Sequence, residues 1–435
     1  MLRTVIHENG STILLDNFGH GMNAQLQPVA ASERIGLLDV LRGFALLGIL
    51  LVNFKGEAGA VMPVIDGIVS GILAVFVSES FYPLFSFLFG VGFAVQLLRA
   101  RERGSAASAL YIRRMVFLFM IGTAHAVFVW GNDILVRYSI AGLLLIPLHR
   151  LSQKAIFVIA LLMLFTILNG DAVRARAQSW RTANAGETVR ELYTAEGLGN
   201  VGIGVNQRNL LSDVADPTYV QATLSRWKDY GILLRAHGDW LNWVLNDVLF
   251  CFLVGFMVGR ARLLQEARSR SRPLIVTALV AFIISASGIV VMSQFDLSPG
   301  FPRSFAWHAE NFGMTAFLIS TIALLFTFTA TPRRVLSVFV APGRMGLTIY
   351  LSQSLVMTWM SASYGFGWQP STTIWIAVNL CFFFGVQVPF SRWWLRRFYY
   401  GPAEWLWRSL TYGRAQQLRV TPDKLTLERM SRASV

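Results

Sequence analysis

Long apolar stretches recur along the chain, and polar or arginine-rich residues separate them. A helix needs roughly 17–25 apolar residues to cross a hydrocarbon core about 30 Å thick. Ten stretches reach or approach that length, at 36–54, 81–98, 113–130, 134–149, 154–170, 241–260, 273–292, 309–330, 343–361 and 372–391. The pattern therefore predicts an all-α, polytopic membrane protein with about ten transmembrane helices.

An eleventh apolar stretch, 61–80, is interrupted by Asp66 and several small residues. Arginines cluster after the 81–98 segment, after the 241–260 segment and around the 331–343 loop. If 61–80 does not cross the membrane, all these clusters and both termini lie in the cytoplasm, as the positive-inside rule requires. We therefore predict that 61–80 is an interfacial or re-entrant helix.

This topology divides the chain into five parts and predicts a multi-pass membrane protein with both termini in the cytoplasm. The first residues are polar and lack an apolar core beside a cleavage site, so we expect no signal peptide. The parts are a cytoplasmic tail (1–34), the first five spanning helices with the 61–80 helix (35–170), a helical periplasmic loop (171–240), the other five spanning helices (241–391) and a cytoplasmic amphipathic tail (392–435).

Composition supports the membrane assignment. Of the 435 residues, 54% are hydrophobic and 14% are charged, whereas soluble domains carry about 25% charged residues. The net charge of +14 raises the question of nucleic-acid binding. Because the basic residues lie between apolar segments, we instead expect membrane lipids as partners and no nucleic acid.

Ionisable residues inside spanning helices are costly and usually face the protein interior. Asp39 and Arg42 begin the first helix three residues apart, so they can pair on one helix face. Alternatively, Arg42 binds an anionic group such as a phosphate. His125 lies deep in the third segment, as a buried neutral histidine or as a general base.

Polar residues at later segments are also candidates. Asp133 can cap the fourth helix, but capping does not explain Arg137 one turn deeper. The polar ninth segment, with Tyr350 and Gln353, provides either interhelical hydrogen bonds or the wall of a polar path. His308 joins His125 in an outward-facing cavity or belongs to an ordinary helix start.

Several chemical signatures are missing from the sequence. The chain has no GxxxxGK[ST] motif, which argues against an ATP-driven pump. His237, Asp239 and Asp247 invite a metal interpretation, but their spacing is not diagnostic, and we expect no metal. Cys251 and Cys381 both lie in apolar runs and are poor disulfide candidates.

Five motifs between Arg34 and Arg414 together resemble the YeiB-like family of bacterial inner-membrane proteins, which is catalogued as a domain of unknown function. In chain order they read RIGLLDVLRGFALLGILLVNF, FYPLFSFLFGVGFAVQL, GTAHAVFVWGNDIL, APGRMGLTIYLSQSL and GPAEWLWRSLTYGR. The first motif is also similar to the start of the transmembrane acyltransferase superfamily, which includes heparan-α-glucosaminide N-acetyltransferase and bacterial O-acyltransferases of surface polysaccharides.

That similarity implies transfer of an acyl group from cytoplasmic acyl-CoA to an acceptor, often a sugar, across the membrane. Asp39 and Arg42 match the acid and arginine of the superfamily's first helix, and Asn53 matches the residue that closes it. The superfamily enzymes carry a histidine at or soon after that point, and this chain has none there. Either His125 replaces it or this branch uses different chemistry.

Three functional hypotheses remain open. In the first, an acyltransferase uses His125 as general base, oriented by Asp133. It binds acyl-CoA or the acceptor through a wider set of residues, namely Asp39, Arg42, Asn53, Arg137, Arg344, Tyr350 and Gln353. The second is an ion- or proton-coupled transporter of a small molecule. The third is a non-catalytic protein that binds lipids or a partner, and in each case the chain can form an oligomer.

Overall fold

The computed structural model describes residues 36–54, 56, 63–77, 80–102, 107–169, 218–235, 247–298 and 300–420. Within these ranges the chain is helical, with an isolated bridge between Phe398 and Arg419 and no strand. The predicted all-α class is thus confirmed for the described residues. The predicted tail 1–34, most of the 171–240 loop and residues 421–435 lie outside them.

The described helices are numbered here in chain order. In the first half they are α1 (Gly36–Asn53), α2 (Pro63–Phe76), α3 (Phe81–Glu102), α4 (Ala107–Phe128), α5 (Leu135–Leu148), α6 (Gln153–Leu168) and α7 (Tyr219–Arg235). In the second half they are α8 (Leu249–Arg260), α9 (Ser271–Gln294), α10 (Phe301–Phe328), α11 (Ala330–Leu336), α12 (Val340–Arg344), α13 (Gly346–Ser361), α14 (Thr372–Cys381), α15 (Val388–Leu395) and α16 (Pro402–Tyr412).

The described residues contain six apolar stretches long enough to cross a membrane, or seven if a bent pair counts as one span. The stretch 63–98, which holds α2 and α3, counts once. Three further apolar helices, α5, α6 and α8, are only 10–17 residues long. At 1.5 Å per residue, the 14 residues of α5 reach about 21 Å. All ten predicted segments are therefore largely helical, but ten spans are not confirmed.

Helix α1 lies at the centre of the bundle, and α9 lies at its periphery. Within the most apolar 18 residues of each helix, 67% are buried in α1 and 28% are buried in α9. Helix α3 packs against α1 and also along α8, where the two backbones are close together. A Cβ at Gly255 of α8 would overlap the carbonyl oxygen of Phe87 on α3. Small residues at helix contacts allow such close approach in membranes.

Helix α2 is anchored to the bundle by its one acidic residue. Asp66 is fully buried, and its Oδ1 accepts hydrogen bonds from the backbone N–H and the hydroxyl of Thr373, at 2.9 and 2.6 Å. A carboxylate near a helix N-terminus is favourable because the free N–H groups and the dipole attract it. Asp66, which we expected to interrupt an apolar helix, thus holds α2 against the first turn of α14.

The predicted 331–343 loop is helical instead. Helices α11 and α12 cover most of it, and together they meet α13 at an angle of 82°. The break falls at Met345, whose φ and ψ of −110° and 35° are not helical. Gly343, just before the break, packs on the start of α1, where a Cβ would overlap the carbonyl oxygen of Asp39.

Two ends of the bundle are used as reference points below. We call the end with Asp39 and Arg42 the arginine end, and the end with His125 and Asn53 the histidine end. Helix α4 runs from the arginine end to the histidine end, and α5 returns. Helix α16, part of the predicted amphipathic tail, packs on α4 and α13 at the arginine end, with Trp407 buried and Leu406 exposed.

Candidate functional site

A histidine and a carboxylate pair where α4 ends and α5 begins. His125 lies in the last turn of α4, and its Nδ1 is 2.8 Å from Oδ1 of Asp133. Both residues are 4% exposed. The other oxygen of Asp133 accepts the backbone N–H of Val136 at 2.9 Å, so Asp133 also caps the first turn of α5, as predicted.

Tyr350 of α13 completes this arrangement from across the bundle. Its hydroxyl donates to Oδ1 of Asp133 at 3.2 Å and accepts the backbone N–H of Ile134 at 3.3 Å. Its ring lies 5.3 Å from the His125 ring, centroid to centroid. Asp133 therefore accepts three hydrogen bonds, from a ring nitrogen, a hydroxyl and a backbone amide.

The second ring nitrogen of His125, Nε2, is buried and has no hydrogen-bond partner. Because the Asp133 carboxylate is an acceptor, we assign the proton of the neutral ring to Nδ1, which leaves the lone pair on Nε2. An unpartnered buried nitrogen is unusual, since most buried polar groups are satisfied. The arrangement gives His125 a free basic nitrogen and a carboxylate that orients the ring.

Arg137 and Asn53 extend this polar cluster. Arg137 donates to the side-chain oxygen of Asn132 at 3.4 Å and lies within electrostatic range of Tyr82, Asp133 and Tyr350. The hydroxyl of Tyr82 donates to the side-chain oxygen of Asn53 at the end of α1. Five predicted residues thus come together at the histidine end, and Tyr82 is a member that the sequence analysis missed.

Helix α7, from the predicted loop, covers the end of α4 beside His125. Arg226 is buried and donates to the carbonyl oxygen of Val127 at 2.9 Å, and Tyr219 donates to that of Phe128 at 2.9 Å. Arg226 also donates to the hydroxyl of Tyr364, after α13, at 3.4 Å. A cation at a helix C-terminus satisfies free carbonyls and complements the dipole. Arg226 therefore fixes the turn of α4 that carries His125.

At the arginine end, Asp39 and Arg42 form the expected ion pair, with 3.2 Å between Oδ1 and Nη1. The side chain of Arg42 is 33% exposed and that of Asp39 is 11% exposed. Arg344 follows Gly343, whose backbone contacts Asp39, so the backbone of Arg344 also lies at the arginine end. The pair is therefore partly buried on the Asp39 side, whereas Arg42 keeps a partly exposed guanidinium that can contact a second anion.

Arg114 lies beside this pair, although sequence reasoning used it only as a marker of topology. Its Nη1 donates to Oε1 of Gln96 at 2.9 Å, and its guanidinium lies 4.2 Å from the ring centroid of Trp407. Trp407 in turn donates to the carbonyl oxygen of Arg114 at 2.9 Å. The sequence shows the arginine pair at 113–114 and the GPAEWLW motif, but it does not show that Arg114 contacts Trp407.

Two predicted residues lie apart from the His125 cluster. The side-chain amide of Gln353 donates to the side-chain oxygen of Gln387 at 3.0 Å, within a hydrogen-bond network between α13 and the π-helical turn Phe382–Gln387. His308 faces Asp247, with 3.5 Å between Nε2 and Oδ1, rather than His125. Among the described residues, no three His, Cys, Asp or Glu side chains are grouped to hold a metal ion. His237 and Asp239 lie outside those residues.

Comparison with known proteins shows to which family the chain belongs. The profile described as "Protein of unknown function (DUF418)" matches residues 258–414. The uncharacterized protein YxaH of Bacillus subtilis is 31% identical over 422 residues, covering 89% of this chain and 97% of its own length. An uncharacterized 39.9 kDa protein of Bacillus acidopullulyticus is 28% identical over 411 residues, covering 89% and 97%. The uncharacterized protein YeiB of Escherichia coli is 26% identical over 410 residues, covering 87% and 96%. The predicted family is thereby confirmed: the chain belongs to the YeiB-like family of DUF418 membrane proteins.

Proposed function

We propose that this protein is a membrane-embedded acyltransferase, which moves an acyl group from acyl-CoA at the arginine end to a hydroxyl or amine at the histidine end. The observation that carries the proposal is the free, buried Nε2 of His125, opposite an Nδ1 held by Asp133. The similarity of the first helix to the transmembrane acyltransferase superfamily supports the same reaction class. By the positive-inside rule, the arginine end faces the cytoplasm of a bacterial inner membrane.

His125 acts as general base in this proposal. Its Nε2 takes the proton of the acceptor hydroxyl while the acceptor oxygen forms a bond to the thioester carbonyl carbon. The bond between that carbon and sulfur then breaks, and His125 returns the proton to the departing CoA thiol. Asp133 stabilises the imidazolium formed between these steps and holds the ring in the required tautomer. A base of this kind contributes about 10²–10⁴-fold to the rate.

The donor end is separated from His125 by the length of α4. Arg114 and His125 are eleven residues apart on this helix, which corresponds to about 16 Å along its axis at 1.5 Å per residue. Arg42 and Arg344 lie at the same end as Arg114 and supply guanidinium groups that suit the phosphates of CoA. A donor held there needs an extended arm to bring its thioester to Nε2.

Release of thiol from acetyl-CoA tests the proposal. Full-length protein is reconstituted in liposomes with radiolabelled acetyl-CoA, and free thiol and label in extracted lipid or glycan are followed. We expect His125→Ala to lower the rate by about 100-fold or more, and His308→Ala to leave it unchanged. His308 is a matched control because it is also a buried histidine facing a carboxylate. Absence of acyl-CoA consumption by the folded protein would refute the proposal, and gradient-driven solute flux without it would indicate a transporter.

A further inference from the structure

Two arginines from different helices lie along one face of α3 at the arginine end. A Cβ at Gly92 would lie 3.3 Å from Nη2 of Arg42, so this guanidinium lies against the glycine. Gln96, which accepts the hydrogen bond of Arg114, follows four residues later. Residues four apart are neighbours on one helix face, about 5–6 Å apart. Arg42 and Arg114 are therefore held about one helical turn from each other.

Helix α16 brings a third arginine to the same place. Trp407 stacks on Arg114 and bonds to its backbone, which fixes α16 over the start of α4. Arg408 is the next residue, with its guanidinium 4.6 Å from the ring centroid of Tyr400. Both Arg42 and Arg408 are close enough to Arg114 to repel it electrostatically.

Like charges at this spacing cost energy unless an anion compensates them. Asp39 pairs with Arg42, whereas the contacts of Arg114 and Arg408 described above are to an amide oxygen and aromatic rings. Aromatic contacts hold a guanidinium in place without neutralising its charge. Among the ion pairs of the described residues, only Arg42 of these three arginines is matched with a carboxylate, so the cluster carries an excess of positive charge.

We propose that Arg42, Arg114 and Arg408 form a binding site for a phosphate-bearing ligand, with α16 as one wall of the site. Planar guanidinium groups match the oxygen geometry of phosphate and bind it through paired, charge-assisted hydrogen bonds. The phosphate belongs to a soluble diphosphate of the CoA type or to the headgroup of an anionic lipid. Identification of the diphosphate as acyl donor rests on the proposed function, but phosphate binding itself does not.

Direct binding measurements distinguish the two sources. Full-length protein in an uncharged detergent is titrated by calorimetry with CoA, with inorganic pyrophosphate, and with phosphatidylglycerol added to the micelles. The variants Arg114→Gln and Arg408→Gln each remove one guanidinium. Arg397→Gln is the control, because Arg397 is an exposed arginine that stacks on Trp393 instead. Arg114→Lys keeps the charge and guards against loss of folding.

We expect Arg114→Gln and Arg408→Gln each to weaken binding by roughly tenfold or more, as loss of a charge-assisted hydrogen bond does. Arg397→Gln should bind as wild type does, and Arg114→Lys should fall between. Loss of CoA and pyrophosphate binding in these variants identifies a diphosphate site, and loss of phosphatidylglycerol binding alone identifies a lipid site. The proposal is overturned if no phosphate ligand binds saturably, or if the cluster variants and Arg397→Gln bind equally. If phosphate binds but no acyl transfer occurs, only the proposed function is refuted. If His125-dependent acyl transfer occurs but no phosphate ligand binds, only this binding site is refuted.

Discussion

Replacing Asp133 by asparagine tests whether the carboxylate sets the tautomer of His125. The asparagine has the same size, but one of its two terminal atoms is a donor. If its oxygen keeps the bond to the Val136 N–H, which lies 2.9 Å from the carboxylate, its amide nitrogen faces Nδ1 of His125. That nitrogen then donates to Nδ1, so the ring proton moves to Nε2 and the free lone pair is lost.

The structural cost of Asp133→Asn follows from the same geometry. The hydroxyl of Tyr350 now donates to Oδ1 of Asp133, and in the variant it meets an amide donor instead. One buried donor is left unsatisfied, which costs about 1–3 kcal/mol. Asp133→Ala leaves the donors of His125, Val136 and Tyr350 all unsatisfied and should cost roughly two to three times as much. Thermal unfolding in detergent measures both losses.

Two measurements then separate the tautomer from stability. Nitrogen NMR of protein labelled in its histidine rings should show a proton on Nδ1 of His125 in the wild type and on Nε2 in Asp133→Asn. Acyl transfer should fall by about as much as in His125→Ala, on the order of 10²–10⁴-fold, because both variants lose the free lone pair. Asp247→Asn, beside His308, is the matched control. An unchanged His125 tautomer in Asp133→Asn, or full activity in that variant, would refute the reasoning.

Three further outcomes follow from contacts elsewhere in the bundle. Burial raises the pKa of the Glu404 carboxyl above its usual range, so its contribution to stability is complete below the unfolded pKa and is lost as pH rises through the folded pKa. Glu404→Gln should remove this decline from a plot of melting temperature against pH, and an unchanged plot would contradict it. Arg226→Met removes buried bonds to the end of α4 and should lower the free energy of unfolding by about 1.5–3 kcal/mol. Arg226→Lys should recover part of that loss in chemical denaturation. Gly255→Ala overpacks the α3–α8 contact and should destabilise by about 1–3 kcal/mol. Gly71→Ala meets open space and should be neutral or stabilising by up to about 1 kcal/mol, and equal melting temperatures for the two glycine variants would contradict the packing.

Contacts that follow helical spacing were predictable from the sequence. Asp39 and Arg42 are three residues apart and pair as expected. Asp133 caps the helix that begins directly after it. The apolar lengths also gave the positions of the helices. They did not settle the number of spans, because helices such as α5 are apolar but shorter than a full crossing requires.

Contacts between distant segments were not predictable, because they depend on how the helices are arranged. Trp407 and Arg114 are 293 residues apart, and Arg226 and Val127 are 99 apart. Neither pair has a spacing that one sequence can reveal. The polar ninth segment shows the same limit. Tyr350 faces Asp133, whereas Gln353, less than one turn later, faces Gln387. Side chains only three residues apart on one helix thus belong to different networks.

The rigid link between the two polar ends narrows the ligands that this protein can use. Arg114 and His125 belong to the same helix, so about 16 Å separates them along its axis. A compact phosphate ester bound at Arg114 would hold its reactive atom far from Nε2. An anionic lipid bound there by its headgroup would likewise place that headgroup too far away to act as acceptor at His125. A donor that carries its reactive group on a long arm binds at Arg114 and still brings that group to His125. If the phosphate site and the free histidine serve one reaction, the length of α4 therefore selects such a donor over a small phosphorylated metabolite.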